Sequence, residues 1–350
     1  MLAARRALYD HASIVLRSCS ELELDEFVQG GRAVGRTPDS TRTPDSTKIV
    51  DVDGVPVFVK RIPLTDLELA RPRSTANLFD LPPFCHYGFG VPKFPQYGFG
   101  GPGLNAWREL AANLIVTDGV LAGESESFPL LYHWRVLPGR PVLTAGPADV
   151  DAAVAALGGS LAVRARLEAL LAASHSLVSF SEYIPVPLAD WLEPDPVGKA
   201  AWVERHLLDI VTFLRDRELL HLDGHFGNMR TDGERIYLTD FGSATSRRFD
   251  LSAAELDLVE QNATHDADCA SMRLVHWLAT AACGVPVSAR PDFVRRCADG
   301  DIPDDLPPTV EGILTRHGPA AARALGFYRR LFGGDLRVTY RRAEASVSPP

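Results

Sequence analysis

A chain of 350 residues can bury a large core, as one large domain or two smaller ones. Hydrophobic residues make up 46% and charged residues 23%, an ordinary balance for a globular protein, while the net charge of −9 lacks the basic footprint of sequence-independent nucleic-acid binding. Five scattered cysteines without a CxxC pair argue against a disulfide framework or a zinc knuckle.

Near the start, Arg5, Arg6, Asp10 and Arg17 interrupt any signal-peptide core. Leu22–Val28 reads as a first strand, followed by two copies of RTPDST (Arg36–Thr41 and Arg42–Thr47) that read as an exposed loop insertion. Lys48–Val52 and Val55–Ile62 are strands joined by the hairpin dipeptide Asp53-Gly54. A long loop or lid is expected over Leu81–Gly103, rich in Pro, Gly and aromatics and carrying YGFG at Tyr87–Gly90 and Tyr97–Gly100. Asn105–Val116 has a helical stripe through Trp107, Leu110, Leu114 and Ile115. Phe128–Val136 and Leu177–Ile184 are the next strands. Between them Asp149–Ser174 is helical with a break at Gly158-Gly159. The apolar stretch Leu161–Val178 is broken by Arg164, Arg166 and Glu168, so no membrane span is expected. Ala200–Arg217 places Val203, Leu207, Ile210, Val211 and Leu214 on one helix face. Strands first and helices later imply an α+β fold in which a small sheet lobe meets a helical lobe near Glu182–Pro187.

The chemistry concentrates in Leu219–Ala244, LLHLDGHFGNMRTDGERIYLTDFGSA. A polar loop with His221, Asp223, His225 and Asn228 precedes a turn at Asp232-Gly233, a short strand over Arg235–Thr239, and Asp240-Phe241-Gly242. Asp223 can orient a hydroxyl and take its proton, while Asn228 and Asp240 are the hard oxygen ligands that Mg²⁺ prefers alongside phosphates. A second reading of the same residues makes His221, Asp223 and His225 a Zn²⁺ or Fe²⁺ ligand set.

The pattern H-x-D-x-x-x-x-N followed by DFG resembles the protein-kinase-like superfamily, in an atypical branch with an aminoglycoside-phosphotransferase-like catalytic loop. The resemblance covers about residues 22 to 340. It implies a two-lobed α+β fold, with a small antiparallel sheet and one main helix in residues 1–184, a mostly helical catalytic lobe in 185–340, and a tail over 341–350. Insertions would fall at 36–47 and 76–105. Asp223 would be the catalytic base, assisted by His225, and Asn228 and Asp240 would hold Mg²⁺. Lys60 would bind the ATP phosphates, oriented by Glu109, and His221 would pack under the Phe of DFG. Gly30, Gly31 and Gly35 would cover the phosphates in the turn after the first strand, and the backbone from Glu182 to Ile184 would receive adenine. The implied cofactors are ATP and Mg²⁺. Independently of the resemblance, the odd, scattered cysteines fit a reducing cytoplasm, and charge and hydropathy argue against nucleic acid and membrane as partners.

Three departures bear on the acceptor. Leu222 replaces the Arg that often precedes the catalytic Asp, which argues against a phosphorylated activation loop as a switch. His225 stands where protein kinases usually carry Lys. No APE motif follows, and helical sequence resumes by about Ser252. The implied reaction is transfer of the γ-phosphate to a Ser/Thr hydroxyl of a protein, with a small-molecule hydroxyl as the alternative acceptor. A nucleotide-binding pseudokinase scaffold is the competing class. Asp266, Asp268 and the run Asp299–Asp305 read as solvated surface or helix N-termini, with attraction of a cationic ligand as the other reading.

Overall fold

Residues 2–33, 46–87, 103–141 and 147–340 are described by a computed structural model. Helix α1 (Leu2–Ser18) and α2 (Glu21–Gly30) lead into strands β1 (Arg32–Ala33), β2 (Thr47–Val52) and β3 (Val55–Leu64). The hairpin between β2 and β3 turns at Asp53 (φ 53°) and Gly54 (φ 83°), two successive left-handed residues, as a two-residue turn requires. After α3 (Asp66–Ala70) and α4 (Ala106–Ala122) come β4 (Leu131–Pro138), α5 (Pro147–Ala156), α6 (Leu161–Ala172) and β5 (His175–Glu182). The five strands form an antiparallel sheet in the order β1-β2-β3-β5-β4. Its register pairs Lys60 with Thr47 on one side and Ser179 on the other. A bulge interrupts the outermost pairing between Leu131 and His133.

One expected strand is a helix. Leu22 and Leu24 alternate with acids, which mimics a strand, but Ser20 and Glu23 form a reciprocal capping box, with the Ser20 hydroxyl on the Glu23 N–H and the Glu23 carboxylate on the Ser20 N–H. The helix buries Leu24 and Val28, four residues apart, and leaves Leu22 exposed. The break expected at Gly158-Gly159 is present, both at φ 73°.

The rest of the chain is mostly helical: β6 (Val186–Pro187), α7 (Leu188–Leu192), α8 (Pro196–Asp216), β7 (Leu219–Leu220), β8 (Met229–Thr231), β9 (Ile236–Leu238), β10 (Thr245–Ser246), α9 (Ala253–Gln261), α10 (His265–Ala281), α11 (Arg290–Ala298) and α12 (Pro308–Phe332). The short strands form two small sheets, β6-β8-β9 and β10-β7. Leu207, Ile210, Leu214, Met272, Val275, Leu278, Ile313 and Leu314 form the helical core, continuous with Val57, Val59 and Phe180 of the sheet and Val116 of α4. The architecture is thus mixed α+β with an antiparallel sheet. Among the described residues no helix is long and apolar enough to cross a membrane, and all five cysteines are free thiols.

Gly35, nearly all of both RTPDST copies, YGFG from residue 88 onward and the tail 341–350 lie outside the described residues. Residues 71–87 are described, and Thr75, Leu81, Cys85, His86 and Tyr87 within them are buried. Tyr87 is buried, donates its hydroxyl to Asn262 and lies against the rings of His265 and Phe327.

Candidate active site

Three positions far apart in sequence meet at one ammonium group. Lys60 Nζ lies 2.5 Å from Glu109 Oε1 and 2.7 Å from Asp240 Oδ1. Lys60 sits on β3 between buried Val59 and Arg61, so the sheet fixes its stem, while its head keeps some access to solvent. Glu109 is carried by α4, whose first turn is tied down by buried groups. Asn105 caps it by accepting the Trp107 N–H. The Glu68 carboxylate accepts the Ala106 N–H and pairs with Arg166, and the Trp107 indole donates to the Glu68 carbonyl. Arg108, 1% exposed, donates to the Thr75 carbonyl and to Glu255 at 2.7 Å.

Asp240 occupies the left-handed region at φ 68°, and so does Leu222 at φ 61°, immediately before Asp223. Left-handed backbone at a residue with a side chain costs roughly 1–3 kcal/mol and needs support from its surroundings. For Leu222 that support is Asp266, whose two carboxylate oxygens accept the His221 N–H at 2.6 Å and the Leu222 N–H at 3.0 Å. Burial works against the Asp266 charge, but His265 and His221 outweigh it and hold this carboxyl below its usual range. Burial alone would also depress His265. Cys269 and Asp266 overcome that and raise it to about 10.

His221 is fully buried against the Phe241 ring, with centroids 4.9 Å apart. Its Nε2 faces the Thr239 carbonyl at 3.1 Å and its Nδ1 accepts the Asp223 N–H. Both ring nitrogens are thereby engaged, which removes the His221-Asp223-His225 metal reading. Among the described residues there is no cluster of three or more His, Cys, Asp or Glu fit to hold a metal.

Asp223 accepts the Asn228 amide N–H on Oδ2 at 3.3 Å and on its backbone carbonyl at 3.0 Å, whereas its Oδ1 is buried without a hydrogen-bond partner. Burial, and then the charge of Asp240, push the Asp223 carboxyl up to about 7. The His225 Nε2 faces Asp223 Oδ1 from 3.8 Å, and its Nδ1 accepts the Gly227 N–H. Thr239 donates its N–H and its hydroxyl to the Asn228 carbonyl, which places Asn228 beside Asp240. A carboxylate and an amide oxygen are hard donors. They are too few for an all-protein cage but suit an ion such as Mg²⁺ that keeps water and phosphate ligands.

The connector after β5 is the other expected contact. Glu182 gives its N–H to the Leu130 carbonyl, and Arg230 donates to the carbonyls of Ile184 and Pro185. Gly30 ends α2 and Gly31 caps it, ahead of β1, so neither lies in the segment joining β1 to β2. At Gly31 a Cβ would come within 2.8 Å of Val50, so close packing on β2 is what requires glycine there.

From sequence, Asp266 reads as a solvated helix end, and Arg108 and Arg5 carry no signal of their roles. Their partners lie 45, 147 and 177 residues away, beyond any local pattern. The one available hint was the helix start at Thr264–Asp268, which also satisfies a surface reading. In comparison with known proteins, no family model matches this chain, and no curated protein is significantly similar to it.

Proposed function

We propose that this chain is an ATP- and magnesium-dependent phosphotransferase of protein-kinase-like fold that transfers the γ-phosphate to a hydroxyl. The observation that carries the reading is the convergence of Lys60, Glu109 and Asp240 on one point, beside a loop that presents Asp223 and Asn228. In this reading Lys60 contacts the ATP phosphates, with Glu109 holding its ammonium in place. Asp223 receives the acceptor hydroxyl at Oδ1, the oxygen that accepts no hydrogen bond. A carboxyl near pH 7 is matched to taking a proton at neutral pH. His225 is placed to donate a hydrogen bond to the transferred phosphate. Asn228 and Asp240 would hold Mg²⁺, which supplies positive charge over the phosphates. Phosphoryl transfer depends mainly on such positioning and charge, so this residue set suffices in kind.

The acceptor is a small-molecule hydroxyl rather than a protein segment. Between Phe241 and α9 the chain is short and pinned: β10 pairs with β7, Phe249 is buried, and the Asp250 N–H donates to Thr75. That leaves little freedom to present an extended peptide.

Transfer from γ-labelled ATP with Mg²⁺ tests the reading, using the protein alone, generic protein substrates, and a panel of hydroxyl-bearing small molecules. Label transfer by wild type that is lost in Asp223→Ala and Asp240→Ala is the expected result, with the labelled species naming the acceptor class. ATP binding that depends on Lys60 without any transfer would replace this reading with a nucleotide-binding scaffold.

A further inference from the structure

Helix α1 reaches the connector through one side chain. Arg5 is buried, and all three of its guanidinium nitrogens are engaged. Nε and Nη2 meet the Glu182 carboxylate at 2.9 and 2.7 Å, Nη1 donates to the Glu126 carbonyl at 3.0 Å, and Nη2 donates to the Phe128 carbonyl at 2.6 Å. The guanidinium also lies 5.2 Å from the centre of the Tyr237 ring on β9. Glu182 in turn accepts the Leu130 N–H on Oε2 and sends its own N–H back to the Leu130 carbonyl. The first residue of the connector is therefore fixed through both side chain and backbone.

Two residues on, Arg230 of β8 holds the connector from the opposite side, through the carbonyls of Ile184 and Pro185, both at 2.5 Å. An arginine thus stands at each end. One comes from a helix that precedes the sheet, the other from the hairpin that bears Asn228.

We propose that Arg5 is a positioning residue for nucleotide binding: through Glu182 it fixes the 182–187 connector in the conformation that receives the adenine end of ATP. This rests on the phosphotransferase reading above. The Arg5–Glu182 pair is largely shielded from solvent, so removing the guanidinium leaves the Glu182 carboxylate without its cation and two carbonyls without their donor, and the connector is expected to shift to hydrate them. The triphosphate end is held by other groups, Lys60 and the Asn228–Asp240 pair, so the loss of Arg5 is expected chiefly at the adenine end of the nucleotide. A helix contact that merely added stability would affect both ends alike, or neither.

The test is calorimetric titration of wild type, Arg5→Met, Arg5→Lys, Glu182→Gln and Ile14→Ala, each with Mg·ATP and separately with Mg·tripolyphosphate. Circular dichroism and melting curves verify folding. Ile14 is an exposed residue of the same helix and serves as control. The expected result is affinity for Mg·ATP lowered about 10-fold or more in Arg5→Met, a loss of at least about 1.4 kcal/mol, with tripolyphosphate affinity unchanged. Arg5→Lys falls between, and Ile14→Ala matches wild type. Should Arg5→Met fail to fold, Glu182→Gln breaks the same pair with side-chain size kept, and the same selective loss is expected of it. Equal ATP affinity in the folded variants, or equal weakening toward both ligands, overturns the proposal. Wild type that binds neither ligand overturns the phosphotransferase reading itself.

Discussion

Among the described residues, the carboxylates of Glu109 and Asp240 both meet the Lys60 ammonium. Replacing Glu109 by Gln leaves the ammonium tied to Asp240. Replacing Lys60 by Met leaves Glu109 and Asp240 facing each other with no cation between them. Turnover should fall more in Lys60→Met, by about 100-fold or more, than in Glu109→Gln, as expected when a preorganised charge is removed from a reaction centre. Steady-state kinetics with labelled ATP would check the ranking, and equal losses would contradict it. Asp266 acts at one remove. Asp266→Asn keeps the shape but can accept only one of the two loop N–H groups through its oxygen, so Leu222 loses part of what holds it at φ 61°. A stability loss of about 1–3 kcal/mol is expected from that exchange, read by urea denaturation, together with a lower kcat and little change in the KM for ATP. Asp223, Asn228 and Asp240 stand out in the sequence through the motif that carries the family resemblance, and Lys60 and Glu109 follow from that resemblance rather than from local pattern; the structure brings Lys60, Glu109 and Asp240 together. Asp266 was not legible in the sequence, because its role exists only once α10 is packed beneath the loop.

Elements were easiest to read where a local device marks them. The Asp53-Gly54 hairpin, the double-glycine break before α6 and the one-sided face of α8 all follow from backbone freedom or periodicity within a few residues. Helix α2 was misread because alternation at Leu22 and Leu24 outweighed the Ser20/Glu23 box, although the box satisfies otherwise orphaned N–H groups. Packing between elements leaves almost no local trace. Gly318 on α12 illustrates this: a Cβ there would sit 2.7 Å from the Cys297 carbonyl oxygen at the end of α11, and a main-chain group cannot swing aside. Gly318→Ala should destabilise by about 1–3 kcal/mol through overpacking despite its gain in helix propensity, a shift visible in the denaturation midpoint. Arg108 links elements in the same hidden way. Arg108→Met would leave Glu255 buried without its cation and cost about 3–5 kcal/mol, measurable in the same titration.

At the scale of the whole molecule, two buried histidines set opposite limits on stability. Burial and the nearby Arg108 charge, only partly offset by Glu255, lower His86 to about 4. Its contribution is complete above pH 6.5 and is lost as pH falls from 6.5 toward 4, because the unfolded chain then binds the proton more readily. His265, raised to about 10, behaves in reverse: its contribution is complete below pH 6.5 and is lost as pH rises from there toward 10. Taken together, these two histidines contribute most near pH 6.5. His86→Leu should flatten the acid limb and His265→Asn the alkaline limb in melting curves recorded from pH 4 to 10. A curve whose acid limb is unaltered by His86→Leu would contradict the assignment.

The outer strand of the five-stranded sheet has a consequence for how copies of the molecule meet. β4 carries a bulge at its start, Arg135 midway and Pro138 at its end, and α1 lies along it with the Ser13 hydroxyl on the Tyr132 carbonyl. A straight, bare row of peptide groups is what lets one sheet extend into another and seed aggregates. Here the row is bent, ends on a residue without an N–H and is partly shielded by a helix, so concentrated solutions should resist edge-to-edge growth at this flank for as long as α1 stays in place.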